Sequence, residues 1–125
     1  MLVIREQQIN VLQAHAEDDF VKKIMSHLRE HEDAETYQLS DEELRRRVEI
    51  GVEKARSYYL TWEKPILFFV RLMFSISPDF DQQPKIQRVL TDLYEEPNEK
   101  MEYLDGQTTD ADWEDAALLS QEWPA

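Results

Sequence analysis

Ile66-Leu67-Phe68-Phe69-Val70-Arg71-Leu72-Met73-Phe74-Ser75-Ile76 is apolar at nearly every position, and Arg71 is its one charge. The run is about eleven residues long, whereas crossing a bilayer takes roughly 20. Pro65, just before it, suits the first turn of a helix, where a missing N–H leaves no bond unmade. Pro78, just after it, cannot continue the hydrogen-bond ladder and biases Ser77 away from helix. A short helix that is hydrophobic on all sides belongs among other helices. The stretch therefore predicts an all-α protein, a single compact bundle of four to five helices around a central apolar helix over about 65–76.

Working toward the N-terminus, Ile9, Leu12, Ala16, Phe20, Ile24 and Leu28 recur at steps of three and four. They lay one apolar stripe along a helix of roughly six turns. The polar stretch Glu30 to Gln38 reads as a connection. Ser40-Asp41-Glu42-Glu43 then reads as a capping box, with the Ser40 hydroxyl on the Glu43 amide and the Glu43 carboxylate on the Ser40 amide. Leu39 and Leu44 stand at the staple positions. Leu44, Val48, Val52, Ala55 and Tyr59 form the inward stripe of this second helix. Gly51 inside it costs about 1 kcal/mol relative to Ala, which points to close approach of a neighbouring helix.

On the other side, Pro78-Asp79-Phe80-Asp81 reads as a turn. Phe80 plugs the core, Asp79 satisfies turn amides and Asp81 helps to cap the next helix. Pro84 opens that helix, with Ile86, Val89, Leu90 and Leu93 inward. Asn98 caps a short fifth helix carrying Met101 and Leu104, and Gly106 offers a left-handed stop. The organisation expected is a helical domain over 1–106 and an acidic Trp/Leu-containing tail over 107–125. From Asp92 onward there are eleven acidic residues and one basic, Lys100. Such a tail is loosely ordered or folds against something, and Arg45-Arg46-Arg47 are one candidate on the chain itself. Removing it is expected to leave the fold nearly as stable.

Composition narrows the function classes. The 125 residues carry a net charge of -13, with two Gly and no Cys. Few glycines argue against a Gly-rich phosphate loop or a nucleophile elbow. The absence of Cys removes disulfides, thiolate zinc sites and cysteine nucleophiles. The acidic balance works against nucleic acid and anionic membrane, Arg45-Arg46-Arg47 notwithstanding. Met1-Leu2-Val3-Ile4 runs into Arg5 and Glu6 without a signal-peptide core, so a cytoplasmic protein is expected.

Side chains that could carry chemistry also have simpler readings. His27-Leu28-Arg29-Glu30-His31 matches the H-x-x-E-H pattern of inverted zinc peptidases. The helix ends near His31 and no third ligand presents itself, so the favoured reading is polar histidines at a helix C-terminus. Asp79 and Asp81 lack the Gly and distal Glu of a calcium loop and read as turn residues. Arg71 needs a carboxylate, with Glu63, Asp79 and Asp81 as candidates. Tyr58, Tyr59 and Trp62 form either an exposed patch or core at a helix junction. No metal, cofactor or catalytic residue is expected.

The pattern resembles a family of small helical bacterial proteins often encoded beside effector toxins of the type VI secretion system. The likeness rests on Met1-Leu2-Val3-Ile4 with Gln7 or Gln8, His27-Leu28-Arg29, and Leu39-Ser40-Asp41-Glu42-Glu43-Leu44-Arg45. It continues through Gly51 with Ala55 and Tyr58, Thr61 with Glu63, Leu72-Met73-Phe74 and Pro78-Asp79-Phe80-Asp81. It covers about the first 82 residues; Lys64-Pro65 departs from it and the tail has no counterpart. The resemblance implies a non-catalytic protein that binds a secreted toxin, its spike carrier or a larger chaperone. The expected role is accessory chaperone or adaptor, with Tyr58, Trp62, Trp113, Leu118, Leu119 and Trp123 as contact residues. The alternative is an immunity protein that occludes a basic toxin site.

Overall fold

The computed structural model describes the backbone of residues 6–125 and the side chains of residues 15–125. The readings placed on Met1-Leu2-Val3-Ile4 and on the side chains of Ile9 and Leu12 lie outside these. The architecture is all-α, with no strand among the described residues. Its helices are α1 (Glu6–His31), α2 (Asp33–Thr36), α3 (Asp41–Ser57), α4 (Glu63–Ser75), α5 (Pro84–Thr91), α6 (Lys100–Gln107) and α7 (Asp110–Ala117). The number exceeds the four to five expected because the polar connection winds one turn as α2 and the tail forms α7. None of them is long and apolar enough to cross a membrane.

Helices α1, α3 and α4 make the frame. Phe20, Val21, Ile24 and Leu28 bury the inner face of α1, while Ala16 is exposed and falls outside the stripe assigned to it. Along α3 the buried positions are Leu44, Val48, Gly51, Val52 and Ala55. Helix α4 passes close at Gly51, where an added Cβ would lie 3.0 Å from Val70 Cγ2 and 3.3 Å from Met73 Sδ. Ser40 caps α3 by accepting the Glu43 amide at 3.1 Å. The return half of the capping box is not made, because the Glu43 carboxylate turns to Arg46 and Arg47 at 2.7 and 2.9 Å. Those guanidiniums hold the Glu43 carboxyl down at about 2.

The end of α3 carries no sequence signal. Tyr59 takes φ 68°, and the Leu60 and Tyr59 amides bond back to the Ala55 and Arg56 carbonyls. This is a Schellman stop with tyrosine in the left-handed position that glycine usually fills. Leu60 is thereby turned fully inward while Tyr59, assigned to the inward stripe, stands out in solvent. Gly106, by contrast, lies inside α6 with ordinary φ, so the expected left-handed stop and the domain boundary drawn there both disappear. Gln83, not Asp81, caps α5, accepting the Lys85 and Ile86 amides at 2.8 and 3.0 Å. Leu93, assigned inward, is 89% exposed because α5 ends at Thr91 and the helical period ends with it.

The tail belongs to the core. Thr109 and Asp112 close a reciprocal capping box that starts α7. Ala116 is fully buried, and Trp113 stacks on buried Phe80 while donating to Thr108 Oγ1 at 2.9 Å. Further on, Ser77 Oγ donates to the Ser120 carbonyl at 2.8 Å and Trp123 packs on Phe74. The chain does return to the arginines of α3, through carbonyl and ring instead of carboxylate. Arg46 donates to the Pro124 carbonyl at 2.5 Å, and the Arg47 guanidinium lies 5.4 Å from the Trp123 ring centre.

Candidate functional site

Helix α4 was expected to be covered on all sides, and it is not. Pro65, Ile66, Phe69, Val70, Met73 and Phe74 are buried, yet Phe68 remains 44% exposed. Phe68 shares the i, i+3, i+4, i+7 face of α4 with Lys64, Leu67 and Arg71, and all four line one groove of about 720 Å³. Trp62, 55% exposed, stands at the head of α4, and Met101 of α6 contributes to the opposite side. The lining is mainly apolar, with the charged side chains at its edges.

The groove has walls of unlike charge. Glu102 and Asp105 of α6 line one side and form no ion pair among the described residues. On the other side Arg71 is taken by Glu32, 3.0 Å away, and not by Glu63, Asp79 or Asp81. Glu32 lies in the polar connection after α1, which sequence spacing gives no reason to bring beside α4. His27 also lines the groove. Burial, then the neighbouring His31 and Arg71 charges, lower its pKa below the usual value, which favours the neutral ring. The rings of His27 and His31 lie 4.3 Å apart, and among the described residues no three His, Asp or Glu side chains gather to hold a metal ion.

One side chain fixes the groove's upper end. Asn98 Oδ1 accepts both the Thr61 and the Trp62 amides at 2.8 Å, and its Nδ2 donates to Thr61 Oγ1 at 3.0 Å. The cap assigned to it on the fifth helix is not made; it ties the entry of α4 to the turn before α6. Beneath that turn Lys100 is buried and donates to the Leu90 carbonyl at 2.9 Å, with burial lowering its pKa. The carboxylates of Asp92, Glu95 and Glu96 oppose that shift, so the acidic loop sits over an internal cation.

Of the other candidate residues, Tyr58 is spent internally. Its hydroxyl donates to Asp81 Oδ2 at 2.6 Å, and Asp81, wholly buried, also receives Gln82 Nε2 at 2.9 Å. Lys54 Nζ lies 2.5 Å from Asp81 Oδ1 as an ion contact off the hydrogen-bond direction. It also donates to the Pro78 carbonyl and reaches Asp79 at 3.6 Å. Burial and the Asp81 carboxylate push the Tyr58 phenol well above its ordinary range. This carboxylate, with no exposed surface, ties the Pro78–Asp81 turn to α3. Phe80 is buried between Phe69 and Trp113, as a plug should be. Trp113 and Trp123 face the chain's own core, Leu119 is half-buried, and Leu118 alone of the tail anchors is strongly exposed, at 85%.

Exposed hydrophobic side chains that sequence reasoning did not single out as such include Phe68, Leu93 and Tyr94, the last 98% exposed. Arg45 pairs with Asp18 and Glu49, so each arginine of the Arg45-Arg46-Arg47 run has carboxylate partners on the chain itself. Comparison with protein-family models, with curated proteins and with solved structures found no match for the chain.

Proposed function

We propose that this chain is a non-catalytic, protein-binding accessory chaperone or adaptor for a type VI secretion effector toxin, acting in the cytoplasm before the toxin is loaded. The single observation that carries the binding part is the outer face of α4, where Phe68 and Trp62 stand exposed beside Glu102 and Asp105, carboxylates that pair with no described residue. Aromatic side chains bury large areas at little entropic cost and dominate interface energetics, so two held in the open on a rigid helix suit a contact zone. The resemblance over the first 82 residues supports the type VI context. The tail anchors named from sequence give way to Trp62 and Phe68, because Trp113 and Trp123 are used within the fold. Deleting the protein and expressing the neighbouring toxin alone in a susceptible host tests the role. Lost secretion with unchanged toxicity fits a chaperone. Rescue of the host with direct inhibition of the toxin would make it an immunity protein instead.

A further inference from the structure

We infer that the groove between α4 and α6 takes one kind of occupant, an amphipathic helix of the partner protein whose apolar stripe is flanked by Lys or Arg where it meets α6. This rests on the protein-binding reading above and specifies what binds.

Three features converge on it. The groove-lining residues Lys64 and Phe68, which are exposed, and Leu67 and Arg71, which are half-buried, repeat at i, i+3, i+4 and i+7, the spacing by which one helix receives another. Helix α4 is apolar enough to be enclosed on all sides, yet among the described residues α1, α3 and α6 leave this stripe only partly covered, with Phe68 the most open of its apolar side chains. The charge then selects the partner's flank. On the α4 wall Arg71 is already neutralised by Glu32 and Lys64 is the one remaining cation, while on the α6 wall Glu102 and Asp105 are not neutralised by any described residue. Between Asp92 and Asp105 the chain carries six carboxylates, and its only base there, Lys100, is buried. A helix with acidic flanks would meet like charge along α6, whereas a basic flank would be drawn in and oriented.

The test uses the full chain and two labelled 18-residue helical peptides with the same Leu/Ala stripe, one flanked by Lys and one by Glu, read by fluorescence anisotropy at low salt. The Lys peptide should bind saturably and the Glu peptide at least tenfold more weakly. Phe68→Ser should weaken the Lys peptide about tenfold or more; since Phe68 is nearly half exposed, unchanged circular dichroism and melting temperature confirm that the variant folds. The pair Glu102→Lys with Asp105→Lys should reverse the preference. Glu53→Lys with Glu114→Lys, the same charge change on exposed positions outside the groove lining, should not. Equal binding of both peptides, no binding of either, indifference to Phe68→Ser, or reversal by the control pair would each overturn the inference. A self-association abolished by Phe68→Ser would assign the face to a second copy and overturn it too. Failure here with secretion still dependent on the protein would leave the chaperone reading standing on another surface; the converse would leave helix capture without that role.

Discussion

Replacing Gly51 by Ala sets two effects of known sign against each other. Alanine in a helix interior gains about 1 kcal/mol over glycine. Against this, the new methyl would lie 3.0 Å from Val70 Cγ2 and 3.3 Å from both Val70 Cγ1 and Met73 Sδ. Met73 can bend away, but Val70 is fully buried and stiff at χ1, so relief requires α3 and α4 to part by some tenths of an ångström. Overpacking of this kind costs about 1–3 kcal/mol. The clash should win, leaving a net loss of about 1 kcal/mol, or roughly 4 °C in Tm for a domain of this size. Thermal and urea unfolding of four proteins (the parent, Gly51→Ala, Val70→Ala and the double variant) would measure it. Val70→Ala alone should destabilise by leaving a cavity, and in its background Gly51→Ala should become stabilising by about 1 kcal/mol. Stabilisation by Gly51→Ala in the parent, or additive effects across the cycle, would refute close α3–α4 packing as the reason for the glycine.

Other expectations follow from the same geometry. Truncation after Gln107 removes Trp113, Ala116 and Trp123 from the core and should cost about 3–5 kcal/mol by denaturant unfolding, contrary to the near-neutral effect that the sequence suggests. Tyr59→Gly relieves a left-handed residue whose side chain is 71% exposed, and should raise stability by about 0.5–1 kcal/mol in the same assay. Tyr58→Phe removes a hydrogen bond to a buried carboxylate and should cost about 1.5–3 kcal/mol. In an ultraviolet titration Tyr58 should stay un-ionised after the exposed tyrosines have titrated. Its raised pKa means its share of stability is present below about pH 10 and is lost as pH rises beyond it. His27 runs the other way. Its folded pKa is depressed, so its contribution is complete above pH 6.5 and declines as pH falls below that value, a slope that His27→Gln should remove from melting curves.

The fold was legible because Ile66 to Ile76 admits one interpretation, and the Ser40 cap and the Gly51 contact follow from residue chemistry that acts over a single turn or a single crossing. The groove was harder to foresee for the same reason that α4 was easy. Where every position is apolar, periodicity carries no information about which side stays open, so Phe68 cannot be told from Phe69 by spacing. Arg71 needed a carboxylate, but Glu32 reaches it only through the path of a polar connection between helices. Tyr59 in a glycine's conformation is a case of tertiary packing, the burial of Leu60, overriding local preference. The tail misled because its net acidity is carried on outward positions of α7, while the fewer inward ones, Trp113 and Ala116, do the anchoring.

Asn98 gives the groove a mechanical property. One side-chain amide oxygen accepts two consecutive backbone N–H groups at the start of α4 from the turn that begins α6, a tie that works against the two walls swinging apart. If the groove takes a helix as inferred above, that helix would spend little of its binding energy on prising the walls apart. Loosening that grip with Asn98→Ala would slow capture and hasten escape without removing a single atom that lies along the exposed stripe of α4.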